Sequence, residues 1–338
     1  MIILRYLLFP FAIVYGLITG IRNFLYDNQI LKSHSFDIPI IVVGNLSVGG
    51  TGKTPQIEYL IRLLSPTYKI ATLSRGYKRK SEGFILADEN SDAELIGDEP
   101  YQMHLKFPKI NVAVDADRKN GIEKLLTLKD KPDIVLLDDA FQHRKVKAGF
   151  YILLTAYGDL FCDDFMLPTG SLRESKNGAK RADVIIVTKC PKEISEAEQN
   201  TIKKRIGGSA SIYFSRIDYD DKVYNASESK NVSDIRTVNK LLLAGIAKPN
   251  PFFAYLQGGN DVQLEYPDHH HYNENDIKNI QDKANTKVII TTEKDYVRLK
   301  NQQLNSLFYL PIKSNFISEG ANFDKTILNY VGTSTRNG

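Results

Sequence analysis

Ile40-Ile41-Val42-Val43-Gly44-Asn45-Leu46-Ser47-Val48-Gly49-Gly50-Thr51-Gly52-Lys53-Thr54 decides the fold class. Its start continues an apolar run that opens at Ile38, the composition of a buried strand. Beyond it, Ile57, Leu60, Ile61 and Leu64 recur at the i, i+3, i+4, i+7 spacing of one helix face. Strand, glycine-rich turn, Lys-Thr and helix together form a phosphate loop. Glycines let backbone N–H groups turn inward around phosphate oxygens, and the helix N-terminus adds favourable partial charge. Lys53 reaches the terminal phosphates of a bound triphosphate, and the Thr54 hydroxyl can ligate Mg²⁺. The expected triphosphate-binding residues are therefore Ser47, Val48, Gly49, Gly50, Thr51, Gly52, Lys53 and Thr54. Ser47 stands where the usual pattern has its first glycine.

Working outward, short apolar runs alternate with helix-length stretches. Lys69–Leu73, Asn111–Val114, Ile134–Leu137, Tyr151–Leu154 and Val184–Val187 read as strands of a parallel sheet with helices on both faces. Residues 215–240 are polar and turn-rich and read as a linker with room for short strands. Leu241–Ala244 and Lys287–Thr291 read as strands of a second, smaller α/β unit. Asn273 to Asp276 can cap a helix that includes Ile277 and Ile280. The expected division is a membrane-anchoring segment (1–30), a phosphate-loop core (31–214), the linker (215–240), the smaller unit (241–331) and a frayed tail (332–338).

Tyr6 to Ile21 is sixteen residues without a charge, between Arg5 and Arg22. A signal peptide lacks its small-residue cleavage site here. A membrane span wants about 20 apolar residues, and Pro10 interrupts this one. An interfacial helix would place Tyr6, Phe9, Phe11 and Tyr15 at headgroup depth, with the arginines on anionic lipid. A buried core helix is the bland alternative.

The 338 residues allow about two domains. A net charge of +4 and one short basic loop, Arg75 to Lys80, give no basic stripe, so no nucleic-acid partner is expected. Cys162 and Cys190 have no metal-ligand spacing and fit a reducing compartment. Nothing in the pattern requires an oligomer.

Asp133-Ile134-Val135-Leu136-Leu137-Asp138-Asp139 describes a buried strand with two acids at its C-terminal edge, where ligands bind in open parallel sheets. With Thr54, a carboxylate there would hold Mg²⁺. Side chains alternate along a strand, so Asp138 and Asp139 serve different ends, and which one ligates stays open. Ser74-Arg75-Gly76-Tyr77, Gly97-Asp98-Glu99-Pro100, Asp117-Arg118 and Phe141-Gln142-His143-Arg144 fall where this fold presents loops. Together they ring one sheet edge with the charges of an anionic-substrate site. A guanine-nucleotide switch would need Asn/Thr-Lys-x-Asp. Thr188-Lys189-Cys190-Pro191 lacks the Asp, and Thr292-Glu293-Lys294-Asp295 has the wrong order.

The ordered motifs GNLSVGGTGKTP, LSRGYKRK, GDEPYQM, DDAFQHR, LPTGSLRE, RADVIIVTK and PDHH resemble the tetraacyldisaccharide 4′-kinases, from the apolar N-terminus to about Arg298. That family's loop also departs from the generic pattern at the place of Ser47. The resemblance makes Ser47–Thr54 the ATP site and implies transfer of a phosphoryl group from ATP, with Mg²⁺, to an acylated disaccharide phosphate lipid A precursor. It implies a peripheral or monotopic protein at the cytoplasmic face of the bacterial inner membrane. Asp98 would accept the sugar hydroxyl's proton together with His269, or with His270 as the alternative in His269-His270-His271. Lys53, Asp138 and Asp139 would serve catalysis. Arg75, Tyr77, Glu99, Arg118, Gln142, His143 and Ser171 would contact substrate, with Ser171 standing where some relatives have Asn. Asp98 and His269 fall on opposite sides of the linker, so ATP would close the two units around them. The competing readings are a soluble small-molecule kinase and a non-catalytic nucleotide switch.

Overall fold

The computed structural model describes residues 2–268, 270–285 and 287–336. Two sheets organise the chain. The larger contains β1 (Ile40–Asn45), β2 (Ile70–Ser74), β3 (Ile85–Leu86), β4 (Asn111–Val114), β5 (Ile134–Asp138), β6 (Phe150–Ala156), β7 (Val184–Thr188) and β8 (Ser211–Tyr219). The smaller contains β9 (Lys222–Tyr224), β10 (Ser229–Asn231), β11 (Lys240–Ala244), β12 (Val262–Glu265), β13 (Val288–Thr292) and β14 (Leu307–Leu310). The chain then returns to the larger sheet as β15 (Ile312–Phe316).

Strand order in the larger sheet is β15-β8-β7-β6-β1-β5-β2-β4-β3. From β8 to β4 every pairing is parallel; β15 and β3 add antiparallel edges. β1 lies at the centre, and its fully buried residues are the near-continuous apolar run that a strand covered on both faces requires. Its register sets Val43 opposite Asp138. The phosphate loop and the paired acids therefore leave the sheet at one level, side by side. The smaller sheet runs β10-β9-β14-β13-β11-β12, parallel through its last four members.

The five strands expected before residue 190 are all present. The expected linker is more ordered than its polarity implies: it holds the end of β8, then β9, β10 and a short helix, Val232–Thr237. The expected smaller unit, 241–331, also differs, because β15 and the C-terminal helix (Gly320–Arg336) pack on the larger sheet. Phe323, Ile327 and Val331 recur every four residues and are fully buried against the core that contains Ile57 and Tyr213. Tyr59 donates to Asp324 at 2.7 Å, and Tyr330 brackets the backbone of Ile40. Residues 332–336 of the expected frayed tail continue that helix.

The N-terminal helix is one piece, Ile2–Asp27, with Pro10 inside it. Its stretch Leu7–Asp27 is only 6% buried, which rules out the core-helix reading. Leu7, Phe11, Val14, Ile18 and Ile21 form an exposed apolar stripe along it. By length and composition it could cross a membrane.

Candidate active site

A cleft of about 1130 Å³ opens at the C-terminal edge of the larger sheet and runs between the two sheets. The phosphate loop forms its floor. Gly52 takes φ +86° as it caps the helix Lys53–Leu64, and Gly49 takes φ +113°, conformations that favour glycine. Thr188 at the end of β7 donates to the Thr51 carbonyl at 2.7 Å, and the Lys189 ammonium bonds the Gly50 carbonyl. The Val48 N–H donates to Ser171 at 2.8 Å. The loop is thus braced from outside before any ligand arrives.

The paired acids sit beside it in different environments. Asp138 ends β5 and is buried. Burial and the Glu99 carboxylate push it up to about 7, against the pull of Lys53. Asp139 turns into the left-handed region, φ +47°. Its carboxylate takes a forked pair from Arg173, at 2.7 and 3.1 Å, and lies 3.7 Å from Lys53. Burial acts to raise it, but Lys53 and Arg173 outweigh that and hold it below the usual carboxylate range. The two acids, whose different roles the sequence leaves unassigned, are therefore told apart: Asp139 is committed to cations of the protein, and Asp138 is a desolvated carboxylate. Asp138 Oδ1 is buried with no hydrogen-bond partner, the feature expected of a ligand awaiting a cation. Thr54 lines the same cleft. No group of three His, Cys, Asp or Glu side chains gathers for a metal among the described residues.

Asp98 opens the helix Asp98–Lys106 on the opposite wall. Arg298, on the smaller unit's helix Glu293–Leu299, donates to both of its oxygens, with Nε to Oδ1 at 3.0 Å. The same guanidinium donates to the His270 carbonyl at 3.0 Å. His269 lies outside the described residues. His270 is engaged elsewhere: Nε2 lies 2.9 Å from Asp276, and the ring stacks on Tyr266.

Arg75, Tyr77, Glu99, Arg118, Gln142 and His143 all line the cleft. Arg118 is buried and donates to the Asp115, Ala116 and Asp138 carbonyls; burial lowers it to about 10. His143 is lowered to about 4 by burial and by Arg118, so its imidazole is neutral near pH 7. The Gln142 amide donates to Asn45 and Glu174, both at 2.9 Å, and is part of the wall. Ser171 is turned away: its N–H and hydroxyl both donate to Asp164. Arg173, Lys189 and Arg298 are the site residues that sequence reasoning passed over. The sequence signal for Arg173 was the LPTGSLRE motif, but its bond to Asp139 spans 34 positions.

Known proteins match this chain over nearly its full length. The family model described as tetraacyldisaccharide-1-P 4′-kinase matches residues 4–332. The tetraacyldisaccharide 4′-kinase of Flavobacterium psychrophilum is 67% identical, with 99% of each chain covered. That of Bacteroides thetaiotaomicron is 45% identical, covering 98% of this chain and 94% of its own. The crystal structure of LpxK from Aquifex aeolicus, described as an "apo" form in complex with ATP, superposes with a TM-score of 0.80 at 29% identity, covering 97% of this chain and 99% of that one. By fold, cleft and sequence, the chain belongs to the tetraacyldisaccharide-1-P 4′-kinase family.

Proposed function

We propose that this chain transfers the γ-phosphoryl group of ATP to the 4′-hydroxyl of a tetraacyldisaccharide 1-phosphate, a step of lipid A biosynthesis, at the cytoplasmic face of the inner membrane. The observation that carries the reading is the meeting, in one cleft, of a braced phosphate loop, a desolvated Asp138 and Asp98 on the facing wall.

ATP lies along Ser47–Thr54, with Lys53 at its terminal phosphates. Thr54 and Asp138 would hold Mg²⁺, which when bound supplies charge neutralisation at the β- and γ-phosphate oxygens. Asp139 works through Lys53, which it holds near the loop together with Arg173. The 4′-oxygen attacks the γ-phosphorus, the bond to the bridging oxygen breaks, and ADP leaves. The hydroxyl proton passes to Asp98, with His269 relaying it; the engagement of His270 with Asp276 favours His269 for that role. Arg75, Arg118 and the neutral His143 face the anionic sugar, and Tyr77 and Glu99 stand beside them. Positioning and charge neutralisation supply most of the rate.

The acceptor's chains resist leaving a bilayer, at about 0.8 kcal/mol per buried CH₂. The N-terminal helix answers this by lying in the interface. One side is fastened to the protein at Tyr15, Arg22 and Asn23, and the face opposite them carries exposed Ile13, Leu17, Ile21 and Phe24. Arg75, Lys78, Arg79 and Lys80 add attraction to anionic lipid. The test is incubation of the purified protein with labelled ATP and candidate acylated disaccharides. Label should appear on the tetraacyldisaccharide 1-phosphate and require Mg²⁺. Label only on a soluble sugar would replace this reading with a small-molecule kinase; nucleotide binding without transfer would leave a switch.

A further inference from the structure

The N-terminal helix does more than present an apolar stripe. Its other side carries Tyr15, Arg22, Asn23 and Asp27, at helical spacing, and each bonds a segment that lines or supports the cleft. Tyr15 donates to the Arg173 carbonyl at 3.0 Å. Arg22 donates to the Gln142 carbonyl at 2.8 Å. Asn23 Nδ2 donates to Glu174 Oε2 at 2.8 Å, while Arg144 donates to the Asn23 carbonyl at 2.9 Å and pairs with Asp27 at 2.7 Å.

Glu174 is the hub. It is 2% exposed, and its Oε1 accepts from Gln142 at 2.9 Å and Arg181 at 2.7 Å, leaving Oε2 to the helix. A buried carboxylate must have its lone pairs filled, so losing Asn23 leaves an acceptor without its donor, at the cost of an unmade bond to a charged group. The residue before it, Arg173, forks onto Asp139. The helix thus grips, at two adjacent residues, the segment that aims a guanidinium at one active-site acid and holds a cleft-lining amide.

We propose that Asn23, through Glu174, and Tyr15, through Arg173, are positioning residues that set Gln142 and Asp139, so that the membrane-facing helix is also a wall of the active site. This rests on the lipid-kinase reading above. It predicts that binding to lipid and turnover separate when the polar side alone is changed.

The experiment uses the full chain with the tetraacyldisaccharide 1-phosphate in mixed micelles. Asn23→Leu should lower kcat about tenfold, with the KM for ATP and sedimentation with phosphatidylglycerol vesicles unchanged. Asn23→Gln keeps an amide donor and should recover most of the loss. Tyr15→Phe removes a single O–H and should cost about threefold, which keeps the test intact if Asn23→Leu folds poorly. Wild-type kcat in both Asn23→Leu and Tyr15→Phe would overturn the proposal. So would losses that track vesicle binding in parallel, which would make the helix an anchor alone. A wild-type protein that transfers nothing to the lipid sinks the kinase reading and this one with it; an active wild type with an indifferent Asn23→Leu sinks only the positioning role.

Discussion

Arg298 holds Asp98 across the joint between the two sheets, donating from Nε to Oδ1 at 3.0 Å while its Nη1 holds the His270 carbonyl. One guanidinium therefore places the proposed base and the histidine-bearing loop together. Arg298→Leu should lower kcat by about 10- to 100-fold with little change in the KM for ATP, since the phosphate loop is braced separately. Arg298→Lys should restore little, because an ammonium cannot make the fork. Steady-state kinetics with ATP and lipid varied in turn decides it; a change confined to the KM for ATP would refute the tether.

Asp98→Ala removes the base itself. Transfer to lipid should fall by roughly 10²–10⁴-fold, the usual range for a positioned acid or base. ATP binding should stay near normal. If the variant lost ATP binding but kept its turnover per bound ATP, the base would have to be sought elsewhere.

The contrast between these residues shows what the sequence makes legible. Asp98 sits in a local pattern, Gly97-Asp98-Glu99-Pro100, that reads as a charged turn. Arg298 has no local mark, and its partner is 200 positions away. The strand Asn111–Val114 is readable because a run this short is too brief for a helix and fits a buried strand. The return of Ile312–Phe316 to the larger sheet is not, because periodicity assigns a strand without saying which sheet takes it. Likewise, alternation read from the sequence expects Asp138 and Asp139 to differ, but β5 ends at Asp138, and only the placement of Arg173 shows that Asp139 is the one already paired.

Asp138 carries the metal prediction. A chelator should abolish transfer, and added Mg²⁺ should restore it. Asp138→Asn should reduce transfer at least about a hundredfold while leaving the fold intact or firmer, because a buried carboxylate with an unpartnered Oδ1 is replaced by a neutral amide. Turnover and a melting curve on the same preparation test both halves. Full activity in Asp138→Asn would leave Asp139 as the ligand.

Deleting residues 1–21 removes the whole exposed apolar stripe from Leu7 to Ile21. Release from phosphatidylglycerol vesicles should follow, with soluble protein in the supernatant after sedimentation. Transfer should fall as well, since Tyr15 goes with the deletion. Unchanged vesicle binding would place the membrane contact elsewhere, with the basic loop Arg75–Lys80 as the first place to look.

A cluster at the same joint gives a pH signature. Lys106, on the Asp98 helix, lies 2.7 Å from Glu58 of the phosphate-loop helix and also pairs with Glu293 of the Arg298 helix. Two buried carboxylates share one ammonium, and Arg62 supports only Glu58. Burial and then Glu58 push Glu293 up from 4.5 to about 7, against Lys106. The folded state therefore keeps a proton that the unfolded chain releases. Its stabilising contribution is complete below pH 4.5 and is lost as pH rises through about 7. Glu293→Gln cannot titrate, so the difference between variant and wild type isolates this group from Asp138 and His143. The variant should gain about 2–4 °C in relative Tm between about pH 5 and pH 7.5 and level off above. A flat difference would mean that Glu293 titrates as an ordinary surface acid, and that the joint joining the phosphate-loop helix to the Arg298 helix is wetter than its burial indicates.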